Sequence, residues 1–155
     1  MYALTKWLYL LALIVWLGEI VFFSFVVAPS IFRALPTAVA GRAVGAIFPT
    51  YYRVGYVCGG VLLLASLVFL GGTASRLRWG VSTLLAAVML AATLYAGTVI
   101  QPAAAALRPQ LHQAGAPEAV QRQFDRRHRL AVQLNGVVLV CGVIISVVAA
   151  RAWRP

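Results

Sequence analysis

Residues 7–32 form an apolar run of 26 residues that one charge, Glu19, interrupts. At about 1.5 Å per residue, a helix over that run crosses about 30 Å of hydrocarbon even when tilted. It exceeds the apolar stretch of a signal peptide, about 7–15 residues, so it is read as a retained membrane span. Three more runs follow at residues 54–70, 80–100 and 130–150, the last broken by Gln133 and Asn135. The expected fold is all-α: one integral membrane four-helix bundle over residues 1–155, with both ends on the same side.

Composition supports that reading. Of 155 residues, 63% are hydrophobic and 10% charged, against about 25% charged in an ordinary soluble domain. A water-facing surface cannot be built from that supply. A soluble enzyme, a disordered tail and a disulfide scaffold are excluded. The net charge of +10 would ordinarily raise a polyanion as partner. Here twelve Arg and one Lys flank apolar runs instead of forming one patch, which suits lipid headgroups and membrane topology better than nucleic acid. Cys58 and Cys141 lie inside apolar runs, where a free thiol behaves as a small hydrophobe.

Between the first two spans, Leu35, Val39, Ala43, Ile47 and Phe48 recur at helical spacing. Pro36 suits a first-turn position and Pro49 is expected to end the segment. This predicts an interfacial amphipathic helix over residues 36–48. The third connection holds Pro102, Pro109 and a break at residues 114–116, after which Pro117 and Glu118 read as a helix start running into span four. In span two, Gly55-xxx-Gly59 is a small-residue pair that lets helices approach closely. It serves equally packing within the chain or a homo-oligomer. The two long connections carry eight Arg and two acids; the ends and short connection carry five basic residues and no acid. The positive-inside rule acts most strongly on short flanks, so both ends are placed inside.

Few residues can carry chemistry. Glu19 sits mid-span, where a carboxylate costs about 2.5–3.5 kcal/mol on insertion scales. It should face the interior, either neutral or paired with a donor such as Thr93, Tyr95 or Asn135. It reads as a proton or cation relay, or as a neutral group bonding across helices. His128 and Asn135 are seven residues apart and share a helix face. They line a polar pocket, or Asn135 clasps a neighbouring helix while His128 sits at the interface. Arg33, Tyr51, Tyr52, Arg53, Gln101 and His128 gather at one membrane face, as anchors or as a polar vestibule. The histidines, His112 and His128, form no metal-ligand spacing, and no nucleophile–base set is present. No cofactor is expected.

Several of these residues carry a family likeness. Phe32-Arg33-Ala34-Leu35-Pro36, then Gly41, then Phe48-Pro49-x-Tyr51-Tyr52 resembles the signature of the transmembrane-protein-205-like family of small four-helix membrane proteins. Trp16-Leu17-Gly18 and the segment from Phe25 to Pro29 are similar to bacterial members. Gln101-Pro102, His128-Arg129 and Asn135 also fit. Ala131 stands where the family often has serine. The resemblance implies a four-helix membrane domain and supplies no mechanism. A distant likeness to copper-resistance D proteins and haem-linked protoporphyrinogen oxidases would place histidines within the spans, where this chain has none.

Three functions are therefore carried forward. The first is a non-enzymatic membrane module whose polar pocket takes a small ligand, lipid or partner. The second is a proton- or cation-coupled transporter using Glu19, and the third a copper- or haem-linked redox protein. Arg over Lys and the alanine content suggest a bacterial inner-membrane protein.

Overall fold

The structure is a computed structural model; it describes residues 2–72, 75–111 and 117–153. His112 and the break at residues 114–116 lie outside the described residues. Four helices long and apolar enough to cross a membrane follow one another: α1 (Tyr2–Ala34), α2 (Thr37–Gly72), α3 (Arg76–Leu111) and α4 (Glu118–Ala152). Among the described residues there is no strand. The four form an antiparallel bundle in which α1 packs on α2, α2 on α3 and α3 on α4. The seam between α1 and α4 is the loosest.

The core is built from one face of each helix. Tyr9, Leu13, Trp16 and Ile20 step by three and four along α1 and are buried. Leu62, Met89, Val138 and Ile145 meet them from the other helices. The opposite faces carry exposed Leu11, Ile14, Val57, Leu64, Leu84 and Val140, as a surface facing lipid requires. Buried hydroxyls are satisfied locally: Ser66 donates to the Leu62 carbonyl at 2.8 Å and Ser146 to that of Gly142 at 2.9 Å. At the end holding the chain termini, Tyr9, Phe69, Trp79 and Trp153 form an aromatic cluster. The Lys6 ammonium lies over Trp153, 4.7 Å from the ring centre. There the Tyr9 and Ser82 hydroxyls share a hydrogen bond of 2.7 Å.

The small-residue pair in α2 is used inside the chain. A Cβ on Gly55 would stand 2.9 Å from Thr93 Cγ2, and one on Gly59 2.9 Å from the Trp16 ring and 2.8 Å from Leu90 Cδ1. The two glycines thus make the seat for the Trp16 indole and for α3.

Prolines shape the other end. In α1 the turn over Phe23–Val27 widens to a π turn, and the Ala28 N–H bonds the Phe23 carbonyl. In α3 the turn over Ala96–Ile100 does the same, with the Gln101 N–H on the Ala96 carbonyl. Each wide turn ends two residues before a proline, Pro29 or Pro102. A proline ring clashes with the carbonyl four residues back in a regular helix, and the wide turn moves that carbonyl aside. Pro49 behaves differently. Residues 37–48 are helical, but the expected stop at Pro49 is absent, and α2 runs through it to Gly72. The carbonyl that Pro49 cannot serve belongs to Gly45, and the Arg108 guanidinium lies against that glycine so closely that a Cβ would collide with it. At about 1.5 Å per residue, α2 is about 54 Å long, more than a span needs, so residues 37–48 continue the helix of the second span and do not form a separate one. Pro117 precedes α4, which runs unbroken from Glu118 through span four, as the pattern there predicts.

Gly59→Val should destabilise the bundle by about 1–3 kcal/mol through overpacking against Trp16. Gly60→Val, at a position with nothing within 4 Å, should change it by less than about 0.5 kcal/mol. Reversible unfolding in mixed micelles, followed by circular dichroism, reads both.

Candidate functional site

The site lies at the wide turn in α1. The inward series of residues 9, 13, 16 and 20 runs on to Ser24, four residues further, and Val27 and Ile31 stay half-buried. Phe25, Ala28, Pro29 and Phe32 line a cavity of about 500 Å³. Phe23 and Ser24, inside the turn, line it too. From α2 come Val44, Phe48, Tyr51 and Tyr52, and from α4 His128, Ala131, Val132 and Asn135. The α2 wall is a buried floor, with Tyr51 7% and Tyr52 9% exposed. The α1 and α4 walls are not: Phe25 is 67% exposed and Val132 57%. The mouth therefore opens sideways between α1 and α4.

The polar groups of the floor are joined. The Tyr51 hydroxyl donates to Asn135 Oδ1 at 2.6 Å. Asn135 Nδ2 donates in turn to Ser24 Oγ at 3.2 Å. One amide so connects α4, α2 and α1. Asn135 lies about 7–8 Å below Leu130, where the apolar part of α4 begins. An unpaired amide at that depth would be costly, and the two bonds remove the penalty. Aromatic rings surround the clasp. Phe23 meets Tyr51 at 5.1 Å and Phe48 at 5.6 Å between ring centres, and Tyr51 meets Tyr52 edge-on at 5.3 Å. Beneath the floor a second cavity of about 10 Å³, bounded by Trp16, Tyr51, Thr93 and Asn135, has room for about one water.

Four of the sequence candidates reach the cavity wall: Tyr51, Tyr52, His128 and Asn135. His128 stacks on Phe124, centres 6.3 Å apart and planes 4° from parallel, and stands at the mouth. Arg33 is exposed one residue beyond Phe32, donating to Ser30 Oγ at 3.5 Å. Gln101 is half-buried at the same end, outside the lining. Glu19 is half-buried, five residues deeper in α1 than Ser24. Its Oε2 is buried without a hydrogen-bond partner. None of the three expected donors serves that oxygen. Asn135 is bonded to Tyr51 and Ser24, Thr93 packs on Gly55, and Tyr95 is 47% exposed.

Sequence reasoning missed Ser24 and undervalued Tyr51. A serine in an apolar run gives no sign by itself; the signal is its register, four residues after the inward Ile20. Tyr51 and Asn135 are the two polar groups that must find each other in an apolar interior. Cys58 and Cys141 are buried and free. Among the described residues no group of three His, Cys, Asp or Glu is placed to hold a metal.

Fold and site together define a multi-pass membrane protein with an aromatic-lined cavity open between its first and last helices. A family model described as a domain of unknown function, DUF4149, matches residues 11–113. That is more than half of the chain, and the protein belongs to the DUF4149 family. The match takes in the walls contributed by α1 and α2; α4 lies beyond it. No curated protein and no solved structure matches the chain.

The clasp can be measured alone. Tyr51→Phe leaves Asn135 Oδ1 unpaired in the interior, whereas Asn135→Leu removes the need. A double-mutant cycle over the two in mixed-micelle unfolding should give a coupling of about 0.6–1.7 kcal/mol, the range for hydrogen bonds between membrane helices. No coupling would mean that the bond does not hold the helices.

Proposed function

We propose that this protein is a non-enzymatic membrane module that binds a small amphipathic molecule in the cavity between α1, α2 and α4. The observation that carries the reading is the cavity itself. About 500 Å³ lies within the usual range of ligand sites, about 300–1,000 Å³, and its make-up follows their pattern of apolar walls with a few convergent polar groups. The polar groups of its floor are bonded to one another, which suits orientation of a guest more than reaction with it. Phe48, Tyr51 and Tyr52, which carry part of the likeness to the transmembrane-protein-205-like family, are among the residues that line the cavity. The arginine-rich composition is in keeping with a bacterial inner membrane.

A second reading rests on Glu19. A carboxylate oxygen buried at mid-span without a partner is a functional candidate by default in a membrane protein. It would serve a proton- or cation-coupled transporter, in which the cavity is one access route and Glu19 the coupling group. A four-helix chain has little room for alternating access, so this reading implies a homo-oligomer.

Two experiments separate the readings. Gently purified protein analysed by mass spectrometry should carry a hydrophobic small molecule at about one per chain. Ala131→Trp, which fills the space where the two cavities meet, should carry none while keeping its helical spectrum. Equal retention by both proteins would refute the binding site. In proteoliposomes, ion or proton flux abolished by Glu19→Gln would establish transport. Flux indifferent to that change, or no flux at all, would remove it.

A further inference from the structure

We propose that the occupant of the cavity is an anionic phospholipid of the surrounding bilayer, drawn in sideways between α1 and α4. The inference rests on the binding reading above and names the class of ligand. Three observations converge on it. The first is the mouth. Its rim residues Phe25, Phe32 and Val132 are apolar and 67%, 47% and 57% exposed, and they face the loosest seam of the bundle. Leu17 and Gly142 pin that seam at its middle: a Cβ on Gly142 would collide with the Leu17 side chain. Hydrocarbon chains would reach the cavity directly through that seam.

The second is depth. The cavity reaches from Asn135, about 7–8 Å inside the apolar part of α4, to His128 just outside it. A guest filling that height has one end among aromatic rings and the other at the level of the headgroups. A phospholipid has this division along its length.

The third is charge. The cavity end of the bundle carries eight arginines against two carboxylates. Both carboxylates are engaged on α4 itself: Glu118 accepts from Arg122 at 2.8 Å and Asp125 from Gln121 at 3.0 Å. Arg33 follows Phe32 at the mouth, and Arg129 follows His128. Both are exposed, and neither has a carboxylate partner among the described residues. Their guanidinium groups suit a phosphate diester that presents two oxygens.

Native mass spectrometry of the full chain tests this with three probes: phosphatidylglycerol, phosphatidylcholine of the same acyl chains, and glycerol phosphate. Wild type should hold one phosphatidylglycerol per chain in preference to phosphatidylcholine, and glycerol phosphate should not bind. Ala28→Trp, which fills the cavity from the α1 side, should abolish retention. Arg33→Gln and Arg129→Gln should each reduce the preference about fivefold, the effect of about 1 kcal/mol per arginine at a membrane surface. If Ala28→Trp does not keep its helical spectrum, Val132→Phe blocks the mouth in its place. Equal binding of the two lipids, both lost in the filled variant, would overturn the anionic preference and leave the binding reading intact. Binding of glycerol phosphate as strong as that of the lipid would overturn the need for an acyl chain. Many lipids per chain, unaffected by filling, would overturn both the inference and the binding reading.

Discussion

A polar amide within an apolar span must find partners, and the half-buried Asn135 meets that constraint by bonding two other helices at once. The rest of the lower bundle follows from this clasp. It brings α4 to the ends of α1 and α2 at one level, while α3 holds α4 from behind. It leaves the α1–α4 seam held at points, by the Asn135–Ser24 bond, by the Leu17–Gly142 contact and by Lys6 and Tyr9 on Trp153. A seam held at points encloses space, and the cavity occupies the space beside the clasp. Another cavity, of about 240 Å³, lies along the same seam toward the terminal end, between Leu10, Leu13 and Ala149.

The two wide turns are the other half of the design. A proline inside a membrane helix must dispose of a freed carbonyl and a steric clash, and the helix does so by adding a residue to the preceding turn. In α1 the wide turn carries Phe23, Ser24 and Phe25, which line the cavity. In α3 the wide turn carries Gly97, which lies against Tyr52 and Tyr56 so closely that a Cβ would collide with the Tyr52 ring and the Tyr56 hydroxyl. The floor of the cavity is thus supported from below by a second turn of the same kind. Rigid aromatic packing beneath and an open seam beside it are what a membrane-embedded binding site requires.

Much of this was legible in the sequence, for a physical reason. Crossing hydrocarbon demands about twenty apolar residues, and that demand writes the four spans plainly. Polar residues inside such spans are conspicuous because each costs energy, which is why Glu19 and Asn135 stood out. His128, seven residues before Asn135, followed from helical geometry. Ser24 did not, although it lies four residues after the inward Ile20, because a serine in an apolar run can satisfy itself on its own helix and is not marked by its cost. Pro49 was misread in the opposite direction: a proline usually ends a helix, yet α2 continues with the Arg108 guanidinium against Gly45. Arg33 and Gln101 were grouped with the site because they share its membrane level. Level alone does not say which way a side chain faces.

The central claim is that the α1–α4 seam holds a bilayer molecule, and the most direct measurement is a high-resolution density map of the protein in a lipid nanodisc. The account predicts elongated density in the cavity, from the Tyr51–Asn135 pair out past His128, with Phe25 and Val132 held apart. A seam closed with Phe25 packed on Val132, and no density between them, would contradict it.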